Sequence, residues 1–208
     1  MRGLKAEGAE GAQFMSETLA GHYLADALKV FRTYKSLGEK AIAQVRDEEL
    51  FVTLDPEANS IALIVKHLWG NMRSRWTDFL TTDGEKPDRH RDTEFEQDAG
   101  LTRADVERWW EEGWQIVFNA VEPLTPADVE RVVLIRGEPH TVMQAINRQL
   151  AHYAHHVGQI VLLAKHFRSA EWQSLSIPRG QSEAFRQKML AGGAAKESDA
   201  DVRSKTER

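Results

Sequence analysis

The chain of 208 residues contains no cysteine. That absence excludes disulfides, thiolate metal sites, iron–sulfur clusters and a cysteine nucleophile. It also suits a reducing compartment, and the expected location is cytoplasmic. No apolar run approaches the length of a membrane span, so neither a transmembrane helix nor a membrane partner is expected. Positive charge is in deficit, with 27 Lys and Arg against 32 Asp and Glu and a net charge of −5. A nucleic-acid coat needs clustered positive charge, so no nucleic-acid partner is expected. The first 13 residues hold no hydrophobic block and therefore no secretory signal. Internal repeats are absent too.

What is present is a globular composition. Hydrophobic residues make up 41% and charged residues 28%, with 14 glycines, which supports a sizeable core. This composition falls away at both ends. Residues 1–14 are rich in Gly, Ala and Glu, and residues 191–208 have Val202 as their one branched apolar residue. Such segments bury too little surface to offset the entropy of ordering them. The expected organisation is a flexible leader over 1–14, one domain over 15–190 and a disordered polar tail over 191–208.

Helical periodicity dominates the domain. From Leu19, the residues Tyr23, Leu24, Leu28, Phe31, Tyr34, Ile42 and Val45 recur at steps of three and four, predicting a helix that ends near Arg46. Residues 51–54 read as a short extended run. Asn59 or Ser60 caps a second helix carrying Ile61, Ile64, Leu68, Met72 and Phe79, predicted to end near Thr82 before Asp83 and Gly84. Residues 84–100 are polar and long enough to cross a bundle. Thr102 and Asp105 form a capping-box-like start for a third helix, with Val106, Trp110, Gly113, Val117 and Val121 inside and Pro123 ending it. Residues 132–135 are the best strand candidate, and the chain turns out of it at 137–139. Thr141 caps a fourth helix running to about Phe167, and a short helix follows over 182–190. The pattern predicts an all-α four-helix bundle with a long crossover connection, a short strand or hairpin element before helix four and a short C-terminal helix.

The chemistry gathers on helix four, in the run AHYAHHVG over 151–158. His152 and His156 are four apart, about 40° of rotation and about 6 Å of rise, so both imidazoles reach one point. No Glu follows His152, so this is not the HExxH protease motif. Ala145, Gln149, Ile160 and Leu163 share the stripe and mark it as inward, whereas His155 points away. A surface pair or hydrogen-bonded core histidines are also compatible with the spacing, but two buried neutral imidazoles leave donors and acceptors to satisfy, which a metal would do. A third ligand must come from another helix. His90 and His140 lie in loops, His166 at a helix end and His22 near the start of helix one. His67 sits mid-helix beside the apolar face of helix two, with Asn71 one turn on as a partner for it. No Glu-x-x-His occurs, which removes a ferritin-like di-iron site and leaves a mononuclear three-His site.

Several stretches together resemble the DinB/YfiT-like superfamily of metal-binding four-helix bundles. They are NSIALIVKHLWGN over 59–71, FLTTDGEKP over 79–87, IRGEPHT over 135–141, AINRQLAHYAHHVGQ over 145–159 and LSIPRGQS over 175–182. The resemblance spans roughly residues 16–187 and points to an uncharacterised bacterial subfamily. It implies metal ligands at His67, His152 and His156, a divalent cation (Zn, Ni, Fe or Mn) and open coordination positions. It also implies a homodimer and, on the pattern of some relatives, a transferase using a low-molecular-weight thiol such as bacillithiol, mycothiol or glutathione on a small-molecule substrate. With no cysteine in the chain, the thiol would come from that cosubstrate. The alternatives are a metal-dependent hydrolase using a metal-bound hydroxide and a non-enzymatic metal-binding dimer.

Other residues carry weaker signals. Tyr153 and Gln159 are candidates for supporting the ligands, with core hydrogen bonding as the plainer role. Arg89 and Arg91 are suited either to a substrate carboxylate or to local acids in a solvated loop. Arg148 is one turn before His152 but projects to the flank. Trp69 and Trp76, seven apart and turned away from His67, read as packing against helix one or as a dimer face.

Overall fold

The computed structural model describes residues 18–191. The expected leader, and all but the first residue of the expected tail, lie outside the described residues. By contacts the chain falls into two units, one ending at Ala170 and the other beginning at Glu171.

The first unit is mostly helical. Its long helices are α1 (Leu19–Ile42), α2 (Ile61–Trp76), α3 (Arg103–Val121) and α4 (Val142–Arg168). Each begins at the hydroxyl residue that its sequence offers as a cap. Thr18 Oγ1 accepts from the Gly21 N–H at 3.0 Å and Ser60 Oγ from the Leu63 N–H at 3.2 Å. Thr102 N–H donates to Asp105, and Thr141 and Gln144 cap each other reciprocally. These bonds satisfy donors that the first helical turn leaves without partners. α1 packs along α4 and α2 along α3, while α2 also touches α4 and α1 touches α3.

One ring from each long helix meets in the core. Phe31 lies 6.1 Å from Trp76, 6.2 Å from Trp114 and 5.8 Å from Tyr153, and Trp114 and Tyr153 are 5.5 Å apart. Their tilted and edge-on arrangements are the favourable ones for aromatic quadrupoles. Trp76 Nε1–H donates to the Tyr153 hydroxyl at 2.8 Å, and that hydroxyl donates to Asn71 Oδ1 at 3.4 Å. Trp76 is therefore a core residue, and Trp69 stacks on Trp109 of α3. The two tryptophans do not present one exposed face.

Several boundaries differ from the sequence expectation. α1 stops at Ile42 rather than Arg46, and residues Glu48–Phe51 form a 3-10 turn where an extended run was expected to begin. α2 stops at Trp76 rather than near Thr82. There Asp78 takes a left-handed backbone, φ 49°, and reverses the chain. The reversal lets Gly84 O accept from Ser74 Oγ at 2.9 Å and from Arg75, while Gly84 N–H donates to Leu134 O at 2.8 Å. Phe79 still reaches the core, but from the turn. The strand expected at 132–135 is present as β1 (Val132–Ile135) and pairs antiparallel with β2 (Glu138–Thr141), so the strand or hairpin element expected before helix four is a hairpin whose second strand includes part of the expected turn at 137–139. Arg136 and Gly137, at φ 58° and 75°, make the two-residue turn between them, as a hairpin with positive φ at both central positions requires.

The connection between α2 and α3 folds back on α2 through a 3-10 segment, Arg91–Phe95. In the second unit, residues 182–191 form a helix in which Phe185, Met189 and Leu190 are exposed.

Close packing of α1 on α3 generates a stability test. Gly38 is buried, and a Cβ added there would overlap the Trp110 ring, itself buried. Gly38→Ala gains helix propensity yet overfills the contact. It is expected to destabilise the protein by about 1–3 kcal/mol, measured as a lower urea midpoint. An unchanged or raised midpoint would mean that the ring yields freely.

Candidate metal centre

His67 projects from the middle of α2, and His152 and His156 from one flank of α4, beside the stripe that buries Gln149, Tyr153, Val157 and Ile160. The hydrogen bond between Trp76 and Tyr153 joins the same two helices, so it sets how far each is rotated toward the other. One ring nitrogen from each of His67, His152 and His156 lies within 4.8 Å of the other two. The ring centroids are 4.7–5.3 Å apart. His67 Nε2 and His152 Nε2 stand 3.3 Å from each other. Nitrogens bound tetrahedrally at about 2.0–2.1 Å from a zinc ion are separated by roughly 3.3 Å, so this pair already has the spacing of two ligands.

The rings are aimed from behind. His67 Nδ1 is 2.8 Å from Glu94 Oε2. A carboxylate there accepts the Nδ1 proton and leaves the Nε2 lone pair directed at the cluster. Glu94 is itself clamped by Arg89, Nε to Oε1 at 2.8 Å and a terminal nitrogen to Oε2 at 2.9 Å. Burial pushes the Glu94 carboxyl up, but the bonds from His67 and Arg89 more than offset it and hold the group below the usual carboxylate range. Gly70 lies beneath this carboxylate, where any Cβ would overlap it. A mid-helix glycine costs about 1 kcal/mol of helix propensity, and here it makes room for Glu94.

His156 is fixed in the same manner, its Nδ1 being 2.8 Å from Gln159 Oε1. Gln159 Nε2 in turn lies 3.3 Å from His155 Nε2, and His155 stays exposed at the rim, outside the three-His cluster. His152 has no such support, since its buried Nδ1 has no hydrogen-bond partner among the described residues. Phe95 stacks on His67 with centroids 4.8 Å apart, and Arg91 lies over Phe95 at 5.0 Å.

Burial is the main force on the two α4 histidines. It pushes His152 down to about 3, aided by the neighbouring His156 and His67. It pushes His156 down to about 4 against the opposing bond to Gln159, with His67, His155 and Arg91 adding to the fall. Both imidazoles are neutral near pH 7 and offer lone pairs. This set of imidazole donors suits a borderline divalent cation.

The cluster forms part of the lining of a cleft of about 570 Å³. Five arginines also line it, Arg75, Arg89, Arg91, Arg136 and Arg148, together with Asn59, Asn71 and Gln149, and no carboxylate residue among the described residues does. Arg148 thus reaches the cleft instead of standing aside on its flank. Asn71 does not bond to His67; it accepts from Tyr153, whose own role is in the core. His22, His90 and His166 are exposed and His140 bonds to Glu138 O within β2, all four outside the cluster.

The residue that sequence reasoning missed is Glu94. It lies in the polar connection, 27 positions from His67, with no periodicity to tie it to a helix face. The only signal available was a mid-helix glycine one turn from His67, a mark of close approach by something else.

No curated protein matches the chain. Residues 18–181 match the family described as "Protein of unknown function (DUF1572)". That match takes in both helices that carry the histidines and the connection that carries Glu94, and the chain belongs to the DUF1572 family.

Proposed function

We propose that this protein is a mononuclear metal-dependent enzyme on a DinB-like four-helix bundle, holding one divalent cation at His67, His152 and His156. We further propose that it transfers a low-molecular-weight thiol to a small-molecule acceptor. The observation that carries the reading is the convergence of three imidazole nitrogens within 4.8 Å at an open cleft. Two of the rings have their other nitrogens held by Glu94 and Gln159. A structural site closes its coordination shell, whereas three ligands beside a cleft leave room for a reactant.

When bound, such a cation lowers the pKa of a coordinated thiol or water and so provides a nucleophile at neutral pH. The chain's residues supply the rest. Glu94 and Gln159 orient ligand rings, Arg89 keeps Glu94 ionised, and Phe95 covers one face of His67. The thiol reading is preferred to hydrolysis for one reason. Activating water is helped by a nearby general base, yet no carboxylate among the described residues lines the cleft, and Glu94 is committed to Arg89 and His67. A thiol, already far more acidic than water, needs no such base. A homodimer accords with the resemblance, and the packed tryptophans lend it no surface.

Elemental analysis of the protein purified without chelator tests the metal directly. About one divalent ion per chain is expected. Replacing His67, His152 or His156 by Ala should abolish retention, and His155→Ala should spare it. Metal-free wild type that takes up no cation would end the reading. A screen of thiols against electrophiles then tests the transfer.

Loss of the support behind His67 is a second test. Glu94→Gln is expected to weaken metal affinity by about 10–100-fold, and Gly70→Ala to act in the same direction by displacing the carboxylate. Competition with a chromogenic chelator reads both, and wild-type affinity in both variants would show that Glu94 does not position the ring.

A third test uses pH. His152 and His156 titrate near 6.5 when unfolded and well below that when folded. Below about pH 6.5 the unfolded chain therefore binds more protons, and stability contributed by these groups falls as pH drops toward 4. In chelator-treated protein, the His152→Gln/His156→Gln pair should flatten the drop in urea midpoint between pH 7 and pH 4.5. A drop as steep as that of wild type would refute the depressed pKa values.

A further inference from the structure

The protein as a whole is acidic, yet its cleft is basic. Arg75, Arg89 and Arg136 are partly balanced by Glu85, at 3.0, 3.5 and 3.0 Å, and Arg89 is also paired with Glu94. Two carboxylates thus stand against three guanidinium groups in the wall. The other two arginines have no acid among the described residues. Arg91 is exposed and rests on the Phe95 ring, with no carboxylate partner among the described residues. Arg148 is exposed, lies one turn before His152 on α4, and makes no hydrogen bond or ion pair among the described residues. Elsewhere among the described residues of the first unit, exposed Arg32, Arg73, Arg108 and Arg131 are paired with acids at 2.7–3.0 Å, whereas Arg179 of the second unit is exposed without such a pair.

The two unpaired cations approach from different elements. Arg91 opens the 3-10 segment whose Phe95 covers His67, and Arg148 shares a helix with His152 and His156. Both line the cleft beside the three histidines. A guanidinium presents donors in a planar fork matched to carboxylate and phosphate oxygens. A cleft walled by one sign of charge also concentrates ligands of the other. We infer that Arg91 and Arg148 form an oxyanion clamp, and that the molecule handled at the three-His cluster is a small anion bearing a carboxylate or a phosphate. The inference deepens the functional reading above, because it assigns the substrate class of the same cleft. It stands on the arginines alone and makes no use of the metal.

Calorimetric titration of the full chain with succinate, with inorganic phosphate and with uncharged succinamide tests it, in protein as purified and after chelation. Wild type is expected to bind succinate or phosphate in the millimolar range or tighter, more weakly as salt rises, and not to bind succinamide. The tighter of the two anions assigns the oxyanion. Arg91→Gln and Arg148→Gln should each weaken binding by about tenfold or more, the worth of a charge-assisted hydrogen bond, and the double variant should lose it. Arg131→Gln, outside the cleft, should bind as wild type, and metal content should be equal in all variants. Anion binding that survives chelation and still depends on both arginines supports the clamp even if no metal is ever found. The clamp is overturned if wild type binds neither anion at millimolar concentration. It is equally overturned if the double variant binds as wild type does, or if binding vanishes with the metal.

Discussion

The hydroxyl of Tyr153, buried in a core of four aromatic rings that includes its own, is the contact on which the rest of the molecule turns. It accepts from Trp76 on α2 and donates to Asn71 of the same helix, while its ring packs on Phe31 of α1 and Trp114 of α3. An indole N–H and a phenol left unpaired in such a core would cost about 1–3 kcal/mol each, so α2 and α4 have one preferred rotation and register. Ring packing alone would tolerate a small slide, but a bond of 2.8 Å does not. Tyr153 directly follows His152, and His67 lies nine residues before Trp76. The packing that stabilises the fold therefore also fixes the separation of the candidate ligands.

Behind His67 runs a buried chain of polar contacts, Arg89 to Glu94 to His67. Buried ion pairs are poor sources of net stability, since desolvation consumes most of the Coulombic gain. Their value here lies in direction. The bidentate clamp holds Glu94 in one orientation and ionised, and an ionised Glu94 dictates which nitrogen of His67 carries the proton. Gly70 gives up helix propensity to admit that carboxylate. His156 receives a neutral version of the same arrangement from Gln159. His152 receives none, and its orphaned Nδ1 makes it the least constrained of the three rings.

The cleft adds a second electrostatic contrast. His152 and His156 are held neutral, chiefly by burial, while arginine charge surrounds the cluster and two guanidinium groups have no acid among the described residues. A reactant entering this space meets lone pairs at one end and unpaired positive charge nearby. An anionic substrate is proposed from this contrast, which is set inside a chain whose net charge would otherwise repel anions.

Sequence by itself determined the local features. Caps at Ser60, Thr102 and Thr141 and the three- and four-residue apolar steps placed the long helices, because capping and amphipathicity are satisfied within a few residues of chain. The same locality put His152 and His156 on one face, and periodicity brought His67 to the edge of another. Tertiary structure decided everything that depends on partners far apart in sequence. α2 ends at Trp76 because Gly84 is wanted by Ser74, Arg75 and Leu134, not because its own pattern stops. The second hairpin strand exists because β1 offers it a ladder, although Pro139 disfavours it locally. Glu94 and the five arginines of the cleft come from α2, α4, the hairpin turn and a polar connection with no periodic signature. Only the folded chain brings them together, since charge and hydrogen-bond complementarity act through space and leave no repeat in the sequence.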